Sequence, residues 1–110
     1  MLLPAELKDL VMSSLEDLKA LNPVVIEISK LTDIADLMVI ASGTSNRHVK
    51  SLAEAICVKA KDQGVRPIGV EGQTVGDWVL VDFGDLIVHV MLPITREFYA
   101  LEGLWSVPRS

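Results

Sequence analysis

Apolar residues recur along this chain with two different periods, and the alternation between them outlines the fold. Leu7, Leu10, Val11, Leu15, Leu18 and Leu21 return at three- and four-residue steps, with Glu6, Asp9, Glu16 and Asp17 between them. This predicts an amphipathic helix that opens at Pro4 and stops at Asn22-Pro23. VVIEIS (24–29) and DLMVIAS (36–42) read as strands joined by a polar stretch around Lys30, Thr32 and Asp33. The second is apolar nearly throughout, as a strand covered on both faces should be. Gly43-Thr44-Ser45 then turns into a second helix with Val49, Leu52, Ala53, Ile56 and Ala60 as its stripe and Gly64 as its stop. A short strand at 66–70, a polar loop EGQTVGD (71–77), a hairpin and a helical pattern over 94–106 complete the chain. The order α-β-β-α-β-β-β-α predicts an α/β (α+β) fold, one domain over 1–110, with a mixed sheet of about five strands flanked by helices.

The hairpin DWVLVDFGDLIVHVML (77–92) carries the most specific information. Phe83-Gly84-Asp85-Leu86 fits a two-residue turn with glycine in its first central position, the type II′ pattern. Pairing Phe83 with Leu86 fixes the register, and side chains alternate between faces. Val79/Val90, Val81/Val88 and Phe83/Leu86 then form one apolar face, which belongs in the core. Trp78/Met91, Leu80/His89 and Asp82/Ile87 form the other. Tryptophan and methionine on a mixed face are enriched at protein interfaces. Two readings stay open: the C-terminal helix covers this face as a second core layer, or it leaves Trp78 and Met91 open to a partner.

Charge favours a partner of a particular kind. The net charge is −5 over 110 residues. Residues 1–36 hold seven acids against Lys8, Lys19 and Lys30, and residues 71–102 hold six against Arg96. Bases gather at 47–66, with Arg47, Lys50, Lys59, Lys61 and Arg66 against Glu54 and Asp62. Nucleic-acid binders usually show a basic excess, so wrapping RNA or DNA is disfavoured, although the second helix could touch a phosphate. An acidic face suits a basic protein. Cys57 is the single cysteine, which excludes an internal disulfide and makes a buried thiol the simpler reading. No segment resembles a signal peptide or a membrane span, which implies a soluble, reducing compartment such as the cytosol.

Candidate chemistry is thin. Asp82-Phe83-Gly84 spells a kinase metal-binding tripeptide without the motifs that give it meaning. His48 and His89 lack metal-ligand spacing; His48 is expected to bond its own loop, and His89 to bond an acid across the strands such as Asp82. Gly43-Thr44-Ser45 before a helix can cradle a phosphate or cap the helix through Thr44 or Ser45.

DLMVIASGTSNRHVKSLAEAI, PIGVEGQTVGDWVLVDFGDLIVHVM and FYALEGLW together resemble the Iojap-like ribosomal silencing factors, also called the YbeB family. The likeness runs from the first helix to Trp105 and combines G-T-S-x-R-H-V, G-x-E-G, D-W-V-x-V-D-x-G-D and V-H-V-M in order; Ala35 stands where the family commonly has threonine. The resemblance implies a nucleotidyltransferase-like fold without catalysis or cofactor. It implies a cytoplasmic protein that binds large-subunit ribosomal protein fourteen and blocks subunit joining when nutrients are scarce. It also implies a homodimer when free, with at most minor rRNA contact. Catalytic nucleotidyltransferases follow their glycine turn with paired aspartates on the next strand, whereas the strand here is PIGV. On this reading Trp78, Leu80 and Met91 supply anchor area, and Glu71, Asp77, Asp82 and Asp85 supply complementary charge. Tyr99 and Trp105 extend the patch, and His89 orients its neighbours. An assembly factor for the large subunit and a nucleotide-binding enzyme using Gly43, Thr44 and Ser45 are the alternatives.

Overall fold

In a computed structural model that describes residues 2–100, the chain runs α1 (Pro4–Asp17), β1 (Leu21–Glu27), β2 (Leu37–Ser42), α2 (Asn46–Asp62), β3 (Gly69–Glu71), β4 (Trp78–Asp82), β5 (Leu86–Met91) and α3 (Pro93–Tyr99). The five strands form one mixed sheet in the order β1-β2-β5-β4-β3. β2 and β5 run parallel at its centre, and the remaining pairs are antiparallel. The order of elements is the expected one, and so is the mixed sheet flanked by helices.

The hairpin adopts the predicted register, from Trp78 opposite Met91 to Asp82 opposite Ile87. Gly84 has φ +91°, and the Phe83 N–H donates to the Leu86 carbonyl at 2.9 Å, closing the turn. Val79, Val81, Val88 and Val90 face α1 and α2 and share a core with Leu7, Val11, Leu15, Leu52 and Ile56. The opposite face builds a second, smaller cluster from Ile26, Ile28, Ala35, Met38, Ile40, Ile87 and Met91. Val24, Trp78 and Leu80 pack against that cluster while keeping part of their surface exposed. Ala35 is one of its buried members.

Several boundaries differ from the sequence reading. α1 ends at Asp17, because the Lys19 N–H donates to the Glu16 carbonyl and the Ala20 N–H to the Leu15 carbonyl, with Lys19 at φ +58°. That is a left-handed helix stop made without the glycine that usually marks one, so Leu18 and Leu21 looked like further turns of the stripe. Leu21–Pro23 instead start β1, whose register slips between Leu21 and Val24 with Asn22 at φ +46°. A proline is tolerated there because β1 is an edge strand with a bulge. β3 occupies 69–71 rather than 66–70, which moves Glu71 from the loop into the strand. α3 spans Pro93–Tyr99 and is capped by Ala100 at φ +48°; Leu101, Leu104 and Trp105 of the expected helix lie outside the described residues.

Candidate partner-binding surface

The site begins with a loop that is tied down at both ends. Asn46 Nδ2 donates to the Val75 carbonyl and Lys50 Nζ to the Thr74 carbonyl, both at 2.9 Å, so α2 grips the 72–76 segment. Gly72 sits at φ +89°, where a Cβ would lie 2.0 Å from the Trp78 carbonyl oxygen. Only glycine allows that close approach of the loop to the start of β4. The Leu92 N–H donates to the Asp77 carbonyl at 2.9 Å and closes the open end of the hairpin.

Trp78 is half-buried, and its indole is held from two sides. Its Nε1–H donates to Nδ1 of His89 at 3.0 Å. His89 is 6% exposed, and burial pushes its pKa down to about 4, so the neutral ring accepts through Nδ1. Tyr99 lies on the other side, its ring centroid 4.7 Å from that of Trp78 at 50°, and Phe98 meets Tyr99 edge-on at 5.1 Å. The hydrogen bond replaces the expected one between His89 and Asp82. Asp82 instead accepts from the Gly84 N–H at 2.8 Å and serves the turn.

The fold does not gather all the residues named from sequence. Glu71, Asp77, Trp78, Leu80 and Tyr99 line one cavity of about 400 Å³ together with Gly72. Asp82 and Asp85 belong to the turn end of the hairpin, and four strand residues put Asp82 roughly 13 Å along from Trp78. Met91 is 0% exposed, which removes it as an anchor. It sits on β5 between β2 and β4, where the strand is covered on both faces. His89 is buried for the same reason and acts on Trp78 rather than on a partner. Trp105 lies outside the described residues. Of the expected C-terminal helix, the described part, α3, sets Tyr99 against Trp78 and buries none of its own residues.

Ile94 and Phe98, one helical turn apart on α3, are 75% and 80% exposed and widen the apolar patch next to the cavity. Their i, i+4 spacing, which puts both on one helix face, was the available signal.

The candidate phosphate cradle is filled by its own side chains. Ser45 Oγ caps α2 by accepting from the His48 N–H at 3.1 Å, and the Thr44 N–H donates to Nδ1 of His48 at 2.8 Å. Nε2 of the same ring is 2.8 Å from the Leu18 carbonyl, joining this loop to the end of α1. Gly43 serves packing, since a Cβ there would meet the Val49 nitrogen at 2.8 Å. Cys57 is half-buried, and burial first, then Glu54, raise its thiol pKa, which disfavours the nucleophilic thiolate. Among the described residues no three His, Cys, Asp or Glu side chains are grouped as a metal site requires. None of the described helices is long and apolar enough to cross a membrane.

Comparison with known proteins gives a consistent result. A family model described as "Ribosomal silencing factor during starvation" matches residues 4–109. A ribosomal silencing factor of Chromobacterium violaceum is 47% identical over 101 residues, covering 92% of this chain and 83% of its own. A mouse protein named "Mitochondrial assembly of ribosomal large subunit protein 1" is 36% identical over 90% of this chain and 45% of its own. A crystal structure of a protein from Chromobacterium violaceum matches with a TM-score of 0.94 at 43% identity, over 99% of this chain and 91% of that one.

Proposed function

Because the chain belongs to the family of ribosomal silencing factors during starvation, we propose that it binds the large ribosomal subunit and keeps the small subunit from joining. The docking surface is the face of Trp78, Leu80 and Tyr99, with Glu71 and Asp77 beside them and Asp82 and Asp85 at the far end of the hairpin. Its partner is large-subunit ribosomal protein fourteen, with rRNA touched at most in passing. The observation that carries this reading is the indole of Trp78, held by His89 and Tyr99 yet half-open in a cavity that Glu71 and Asp77 also line. An aromatic anchor with an acidic rim matches a basic protein surface.

The mechanism is exclusion, with no bond made or broken, and the protein acts as a regulator rather than an enzyme in the cytoplasm. Its principal extents are 40 × 34 × 22 Å. A body of that thickness on an intersubunit face separates surfaces that must approach to hydrogen-bonding distance. It delays joining for as long as its residence time exceeds the joining time. In the free protein, a second copy of this one-domain chain shields the apolar face as a homodimer. A second reading, assembly of the large subunit, draws on the name of the mouse relative. It predicts association with precursor particles alone.

Sucrose-gradient co-sedimentation with separated subunits tests both readings. The wild-type protein should travel with mature large subunits and with no small subunits. Trp78→Ala, with thermal unfolding measured alongside, should weaken that association by about 2–4 kcal/mol. A folded Trp78→Ala variant that binds as tightly as wild type would move the docking surface elsewhere.

A further inference from the structure

We infer that the cavity at Trp78 is a receptor for a single arginine side chain of the protein partner. The inference rests on the docking reading above and adds the chemistry of its central contact. Six residues line the cavity of about 400 Å³: Glu71, Gly72, Asp77, Trp78, Leu80 and Tyr99. Two of them are carboxylates, both exposed, and neither has a hydrogen-bond or ion-pair partner among the described residues. Two are aromatic rings in mutual contact. Leu80 supplies an apolar wall, and Gly72 supplies backbone without a side chain to fill the space.

This composition discriminates between occupants. A phosphate or another anion meets two negative charges and no cation in the lining. A calcium ion needs six to eight oxygen ligands, and two carboxylates beside two aromatic rings do not provide them. A neutral apolar side chain would bury charge without compensating it. A guanidinium answers every wall. Its flat face stacks on an aromatic ring, its N–H groups reach carboxylates in pairs, and its stem lies against Leu80. The more strongly hydrated ammonium of lysine lacks the plane and the fork.

The indole is also prepared for this role. Its single polar group is already satisfied by His89 at 3.0 Å, so what it offers in the cavity is π-surface rather than an N–H. Held by His89 and Tyr99, the ring has little rotamer freedom left to lose on binding, which favours affinity.

The test separates the pocket from the ribosomal reading. In a Trp105→Phe background Trp78 is the one remaining tryptophan, and its indole N–H resonance can be followed in solution. N-acetyl-arginine amide at millimolar concentration should shift that resonance saturably. N-acetyl-citrulline amide, the same shape without the charge, should not, and N-acetyl-lysine amide should act more weakly. The Glu71→Gln/Asp77→Asn double variant should abolish the arginine response and lower large-subunit affinity about 30-fold or more. Equal responses to arginine, lysine and citrulline amides would overturn the inference, as would unchanged subunit affinity in the double variant. An arginine-specific response from a protein that binds no subunit would uphold the pocket and sink the ribosomal partner instead.

Discussion

The two faces of the β4–β5 hairpin are built from the same strands and hold together by different means. On the helix side, Val79, Val81, Val88 and Val90 are all 0% exposed and share one apolar core with the stripes of α1 and α2. Shape and area hold this face, and its neighbours tolerate no charge. On the other side, the strands present Trp78, Leu80 and His89, and there a polar bond and open carboxylates join the packing. One face is spent on stability and the other divides its residues between stability and recognition. The difference can be broken by mutation. Val88→Asp, placing an unpaired carboxylate in the closed face, should destabilise the fold by more than about 4 kcal/mol and leave no soluble folded domain. A folded Val88→Asp variant in chemical denaturation would show that α1 and α2 do not seal that face.

Acid should act on the open face. Burial lowers the His89 pKa to about 4, against 6.5 for the free side chain. Between those values the unfolded chain binds a proton that the folded chain refuses, so stability rises with pH through this window. The contribution is fully present above about pH 6.5 and is lost as pH falls through it towards 4, a total of about 3 kcal/mol. Denaturant titrations across this range should show that slope. His89→Asn, whose side-chain oxygen can accept from the indole without titrating in this window, should flatten it. An unchanged slope in His89→Asn would assign the acid sensitivity to other groups.

Legibility in the sequence followed the same division. Alternation fixed the hairpin register and the valine face because a one-residue slip would turn every valine to the wrong side. Cap chemistry located α2 through Ser45 and Gly64. Local signals failed where the backbone departs from its usual residue choices. Lys19 and Asn22 adopt positive φ without being glycine, and the end of α1 and the start of β1 were misplaced together. At the site, alternation put Trp78 and Met91 on one face, but burial depends on the position of each strand in the sheet. β5 lies between β2 and β4, so Met91 and His89 are covered, while the spacing of Ile94 and Phe98 marked a helix face without showing that it lies beside Trp78. The family resemblance pointed to Glu71 and Asp77, and the folded loop brought them to the indole.

The smallest expected effect is the most specific to the open face. Trp78→Phe keeps an aromatic ring against Tyr99 and removes the N–H that His89 accepts. On the valine face a change that modest in volume would cost little more than its lost area. Here it strands a buried ring nitrogen on a residue 6% exposed, at a cost of about 1–3 kcal/mol in unfolding free energy. The double variant Trp78→Phe/His89→Leu, which removes both polar partners, should recover part of that loss, because neither is then left unpaired. Equilibrium unfolding of the two single variants and the pair measures the coupling directly. Additive costs would mean that the indole–imidazole bond contributes nothing of its own, and that the open face is held by packing alone, as the closed one is.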